Sequence, residues 1–568
     1  MNQLYPVSKN ITTICYYPVT FRHWIISNLS YSLLFLFLFC YSLSSIAQEQ
    51  GTFSGSFQGN GNFFIKDTRI GAANTPQYER QLYGADAWLN LNYNRSGFNV
   101  GVRFDLFNNS NLLNPQGSFT AEGIGRWFIS KQINKLNIMG GYIYDQIGSG
   151  IIFRAYEERP LLIDNALFGV RLGYDINPDW QIKVLTGRQK QQFNTFTPVI
   201  KAFNVDGFIA GKDENSKWSS SPGFGIVNRT YDDETMQTIV GTISTFSVTD
   251  SIAPSFNTYA FTFYNSLSVD KFNWYVEAAW KTNDVIFDPF AIKTNRDGST
   301  SLGKLVNPSG SVYYTSISYA GKGFGITIEG KRNENFTFRT NPFVSLNQGM
   351  INFLPPMARF NTYRLTSRYT PAIQELGEQA IKFDFKFSPT RQWSLDFNFS
   401  NINDLRDNLL YREFYSEFQF KQKRKWILTA GIQFQQYNQE IFETKPGAPL
   451  VNTRIPFVDF LYKIDRRKSL RFELQYMDTE QDFGSWIFGL VEYAIAPRWT
   501  FTVSDMYNNI PKQTDRIHYP RLDVFYTMRS NRFSLSYVKQ VEGVVCSGGI
   551  CRLEPAFSGF RFSVLSTF

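Results

Sequence analysis

Gly559 to Phe568 read GFRFSVLSTF. Phe560, Phe562, Val564 and Phe568 fall on one parity, with Ser566 the only polar member. Arg561, Ser563 and Thr567 fall on the other, with Leu565 the exception. Alternation with a period of two marks a strand with one apolar and one polar face. The apolar parity runs to the last residue, where a soluble chain would usually end in a polar tail. One such strand decides little, so its weight rests on whether the chain repeats the pattern.

It does. Phe272, Trp274, Val276, Ala278 and Trp280 share one face, and Asn273, Tyr275, Glu277 and Lys281 share the other. Ile381, Phe383, Phe385 and Phe387 oppose Lys382, Asp384 and Lys386. Leu470, Phe472, Leu474 and Tyr476 oppose Arg471, Glu473 and Gln475. Tight turns rich in Asn, Asp, Gly and Pro punctuate these runs at 94–97, 134–135, 177–179, 269–270, 321–323, 388–391, 421–425, 465–468, 496–498 and 529–531. Longer polar connections alternate with them, for example 108–119, 282–309, 439–454 and 508–516. Short turns on one side and long loops on the other is the asymmetry of an outer-membrane barrel, with turns toward the periplasm and loops outside. The spacing predicts an all-β transmembrane antiparallel barrel of roughly 22–26 strands. The charged polar faces predict a water-filled lumen. Two stretches blur the pattern, 198–248 and 333–361, and each reads either as an inward-folded loop or as an irregular strand pair.

Composition agrees. Aromatic residues make up 17% of the 568, yet mean hydropathy is only −0.26, which excludes a bundle of membrane helices and suits strands apolar on one face. No linker-like stretch divides the chain, so one large domain is expected despite the length. The net charge of +9 is interspersed rather than striped, which excludes a nucleic-acid surface.

Trp180, Trp393, Trp426 and Trp499 each follow a short turn closely, and Trp274 lies a little further on. Indoles favour the membrane interface, so this row predicts the periplasmic aromatic girdle. Phe560, Phe562 and Phe568 of the last strand resemble the signal read by the barrel-assembly machinery. That machinery and outer-membrane lipid are the expected partners.

At the other end, Arg22 and His23 precede an apolar run, and Ser45-Ile46-Ala47 offers a small-x-small cleavage site. The run is short for a membrane anchor, so 1–47 reads as a signal peptide and 48–568 as the barrel. Strands begin directly after the predicted cleavage, which leaves no room for the N-terminal plug of TonB-dependent transporters. Export favours a disulfide between Cys546 and Cys551 over a zinc half-site, because His518 is the one histidine left to complete such a site. No cofactor is expected. The run Tyr231-Asp232-Asp233-Glu234 reads as a solvated loop rather than a Ca²⁺ site. Catalysis is not expected either, since no nucleophile setting accompanies His518.

The densest polar group lies in 145–171, YDQIGSGIIFRAYEERPLLIDNALFGVRL with its preceding tyrosine. Asp145, Arg154, Glu157, Glu158, Arg159, Asp164 and Arg171 stand beside Ile151, Ile152 and Phe153, and Gly148 and Gly150 permit a sharp bend. The segment reads equally as a charged constriction folded into the lumen or as a salt-bridged brace of the rim. GSGIIFRAYEERPLLIDNALFGVRL and PGFGIVNRTYDDETM resemble DUF6029, an uncharacterised family of Bacteroidota outer-membrane proteins. The resemblance implies a barrel in the cell outer membrane and no activity. Function then reads first as a non-energised channel or passive transport pore for small solutes, with a structural or secretion-associated scaffold as the alternative. The scaffold would have a loop-filled lumen and partner-binding outer loops.

Overall fold

The computed structural model describes residues 51–211, 213, 216–344, 347–512 and 515–568. The predicted leader, 1–47, lies outside them. Among the described residues, twenty-four antiparallel strands pair with their sequence neighbours into one closed barrel. Closure is made by the first strand, Thr52–Phe64, and the last, Phe557–Thr567, in register from Ser56↔Thr567 to Phe64↔Gly559. Beyond that register the Gly55 N–H donates to the Phe568 carbonyl at 2.8 Å and the Phe568 N–H donates back at 3.0 Å. A Cβ on Gly55 would lie 2.5 Å from the Phe568 ring, so glycine there admits the terminal aromatic. An even strand number puts the start of the first barrel strand and the end of the last on one side, the side of the short turns.

The outward parity carries the apolar residues. Phe104, Phe263, Phe399, Phe472, Phe501 and Phe562 are all exposed on the barrel exterior. The five tryptophans of the expected girdle lie on this parity at the turn-side strand ends, and Trp274, Trp393 and Trp499 are exposed. No helix is long and apolar enough to cross a membrane. The turns match the sequence reading; at Ser96-Gly97 both residues have positive φ, the two-residue hairpin geometry that suits strand twist. One connection departs from the expected asymmetry. Gln192-Phe193 is a tight turn on the loop side, with Gln192 at φ +54°.

The ambiguous stretches resolve differently. Residues 198–248 hold the strands Asn194–Gly207 and Trp218–Thr230, which pair, and a helix Asp233–Ile243. Asp232 is that helix's N-cap, accepting from the Thr235 N–H, so the acidic run is a helix start rather than a solvated loop. Residues 335–376 are an inward-folded loop, as are 144–166. Both leave and return between paired strands: Leu136–Ile143 pairs Leu167–Asn177, and Phe324–Glu334 pairs Gly377–Phe387.

The expected water-filled lumen is contradicted on the loop side; toward the turns, inward side chains such as Lys386 stay accessible. Toward the loops the interior is a packed core. Ile147, Ile151, Ile152 and Phe153 of the first segment meet Phe336, Phe338, Ile351 and Leu354 of the second. Wall residues Ala202, Ala260 and Ala279 are small where these side chains press against them. A second cluster joins Met357, Leu365 and Tyr369 to Tyr411, Tyr437, Met477 and Trp486 of the wall. Each fully buried side chain of this kind contributes ~1.5–3 kcal/mol, which offsets the cost of ordering long loops. The physical reason for the correction is that the polar parity turns apolar at its loop end. Gln433 and Gln435 are followed on that parity by Tyr437, and Glu473 and Gln475 by Met477.

Candidate functional site: the plugged lumen

The two inward segments bond to each other and to the wall. Between them, the Arg154 N–H donates to Ile351 O and the Phe353 N–H to Gly150 O, both at 2.9 Å. The Asn165 amide donates to Arg154 O at 3.1 Å and Met350 O at 3.0 Å, bridging the segments. The Arg154 guanidinium lies over the Tyr156 and Phe353 rings at 4.5 and 4.2 Å. Together they form one plug.

The wall holds this plug through buried charge. Arg103 is bidentate to Asp105 at 2.6 and 2.7 Å, and reaches Glu157 and Asp164 of the plug at 2.7 Å each. Lys190 also pairs with Asp164, and the Tyr144 hydroxyl donates to it at 2.8 Å. Arg159 binds Glu157 at 2.8 Å and Gln58 of the first strand at 2.8 Å. Asp145 sits between Lys183 at 2.5 Å and Arg171 at 2.7 Å. Glu158 makes no ion pair among the described residues, and its backbone pairs with Ile163. The structure therefore gathers six of the seven predicted residues into ion pairs or ring contacts inside the barrel. It joins the brace to the inward location that the constriction reading required.

Elsewhere wall groups grip the plug backbone. Glu277 is fully buried and accepts from the Ser149 N–H at 2.9 Å, the Ser149 hydroxyl at 2.6 Å, Thr262 at 2.8 Å and Tyr275 at 2.6 Å. Gly148 has φ +56°, and a Cβ there would lie 2.7 Å from Glu277, so the close approach needs glycine. Lys331 pairs with Glu378 and donates to Pro355 O, both at 2.6 Å. Gln475 accepts the Leu365 N–H at 2.7 Å, and Glu413 accepts from Asn361 at 2.8 Å. Arg229, Lys281 and Asp284 form a triad with side chains at most 1% exposed. Asp284 accepts from Arg229 at 2.5 Å and Lys281 at 3.0 Å, while those cations donate onward to Arg339 O and Thr337 O at 2.7 and 2.5 Å.

These wall partners escaped the sequence reading because they lie far along the chain from 145–171. The parity switch from Gln433 to Tyr437 was the signal that could have found them.

Burial alone would raise the Asp164 carboxyl; the Lys190 and Arg103 cations outweigh it and hold it below the usual carboxylate range. Asp284 is lowered in the same way by Arg229 and Lys281. A depressed folded pKa means stability present above the unfolded value and lost as pH falls through the folded one. The urea midpoint of wild type should therefore exceed that of Asp164→Asn by a constant margin at neutral pH. The margin should close only below the ordinary aspartate value of about 3.9. A margin already closing near pH 6 would contradict an ionised Asp164.

Outside the plug, Cys551 is disulfide-bonded, and Cys546 is its backbone partner across the hairpin of Gly543–Ser547 and Ile550–Glu554. Gly548 and Gly549, both at positive φ, turn that hairpin. His518 is exposed, stacks on Tyr507 and approaches Asp505 at 2.5 Å.

The barrel is similar in outline to solved structures. Among them are the translocation pore of the P pilus usher PapC, at 8% identity, covering 90% of this chain and 99% of that one, TM-score 0.44. The siderophore receptor PirA from Pseudomonas aeruginosa matches at 8% identity over 92% and 81%, TM-score 0.38. The ferric-catecholate import receptor Fiu from E. coli K12 matches at 11% over 92% and 82%, TM-score 0.33. Nothing about transport is carried over from them. No curated protein matches the chain. A family model does, over residues 27–568, and the chain belongs to that family of unknown function, DUF6029.

Proposed function

We propose that the protein is an outer-membrane barrel of Bacteroidota kept closed by its own chain. It serves as a structural or secretion-associated scaffold rather than a standing pore. The observation that carries this reading is the solid loop-side lumen: two inward segments bond to the wall through fully buried Glu277, Glu413 and Gln475. In a pore such wall groups would be hydrated. Here they hold the backbone of the plug, and several of these hydrogen bonds, each worth about 0.5–3 kcal/mol net, must break before it can move.

The loop side offers surfaces for a partner. The hairpin Ile286–Thr294 and Thr300–Val306 exposes Phe287, Phe290, Ile292 and Leu302, more apolar surface than a solvated loop needs. The channel reading draws on the turn-side lumen, where Lys386 and Asp396 remain accessible to water.

The experiment is conductance of the refolded full chain in a planar bilayer. The scaffold reading expects insertion without steady conductance at moderate voltage. Steady ohmic conductance from the unaltered chain would overturn it in favour of the channel.

A further inference from the structure

A cavity of about 400 Å³ lies inside the barrel near the closing seam. Arginines from separate elements meet there. Arg159 comes from the first plug segment, Arg521 and Arg561 from wall strands, and Arg552 from the hairpin strand Ile550–Glu554. Arg521 and Arg159 are neutralised, by Asp523 at 2.9 Å and Glu157 at 2.8 Å. The others are not. Arg561 has only a loose approach to Glu554 at 3.7 Å and lies over the Phe557 ring at 4.1 Å. Arg552 makes no ion pair among the described residues; its side chain donates to Leu112 O at 3.3 Å. Asp86 and Glu554 are the carboxylates lining the cavity.

Burial lowers Arg552, and Glu554 and Asp86 pull it back up without forming an ion pair with it. Enclosed cations held by loose counter-ions only are costly, and a fold keeps them where a ligand supplies closer charge. Guanidiniums converging from several directions suit the tetrahedral oxygens of phosphate, which they bind in bidentate fashion. The cavity volume matches a small solute rather than a bare ion. Gln58, Asn60, Asn62 and Ser563 line its wall with neutral hydrogen-bonding groups.

We propose that this cavity is a binding site for a small solute bearing a phosphate group, held by Arg552 and Arg561. The proposal goes beyond the scaffold reading and does not depend on whether the lumen conducts.

The test is calorimetric titration of the refolded full chain with inorganic pyrophosphate at low ionic strength. Saturable one-site binding is expected, weakening as salt screens the charges. Arg552→Gln and Arg561→Gln should each weaken it about tenfold, the scale of one charge-assisted contact. Arg552 lies outside the barrel strands, and retained heat-modifiable migration on a gel will show that each variant folds. Arg424→Gln, at an exposed turn, should bind as wild type does. Absence of saturable binding by wild type would overturn the proposal. So would binding that folded Arg552→Gln leaves unchanged, or that Arg424→Gln weakens equally.

Discussion

Asp284→Ala is expected to lower unfolding stability by about 3–5 kcal/mol, the cost of breaking a buried ion pair from one side. Asp284 is the only carboxylate in direct contact with Arg229 and Lys281 among the described residues, and all three side chains are at most 1% exposed. Its removal leaves two cations facing each other in a site closed to water. The damage should spread beyond the triad, because Arg229 and Lys281 also bind the carbonyls of Arg339 and Thr337 at the root of the second plug segment. The urea midpoint of the heat-modifiable form measures the effect. Glu79→Ala provides the contrast: Lys66 and Glu79 form an exposed pair, and its loss should leave the midpoint unmoved. An Asp284→Ala midpoint equal to wild type would mean that the triad is hydrated and does not hold the plug.

Excising 337–374 and joining the ends with Asn-Gly should convert a silent barrel into a conducting one. The geometry permits it. Asn335 N–H donates to Leu376 O at 2.8 Å and Phe336 N–H to Glu375 O at 2.9 Å, so the segment returns to where it left. A two-residue turn suits such a pair of strands. The barrel wall keeps its pairing from Glu334↔Gly377 downward. Stability falls, because Phe338, Ile351, Leu354, Met357, Leu365 and Tyr369 leave the core, at ~1.5–3 kcal/mol for each side chain of this kind. The wall polar groups do not suffer in the same way, since lumen water replaces the plug backbone around Glu413, Gln433 and Gln475. Single-channel recording should show steady conductance from the excised form and none from wild type. A silent excised barrel would locate the seal in the remaining inward segment, 144–166.

Strand alternation, turn chemistry and aromatic spacing were legible because they are local. Each depends on residues within a few positions, and a lipid-facing surface imposes the period-two rule on every strand. The barrel, its strand number within the expected range and the tight turns follow from that rule; for 145–171 the sequence left a constriction in the lumen and a brace of the rim equally open. The closing role of 559–568 was legible for the same reason.

What fills the barrel was not legible, because inward-facing charge looks the same whether water or another loop lies against it. Glu277 reads as a solvated lumen residue and is instead a buried acceptor for Ser149. Arg103 and Asp164 lie 61 positions apart, and only the closed barrel brings them within 2.7 Å. Sequence alone determined the wall, whose rules are those of a membrane acting on each strand separately. Tertiary structure alone decided the interior, because a plug is held by contacts between distant parts of the chain, which no local period encodes.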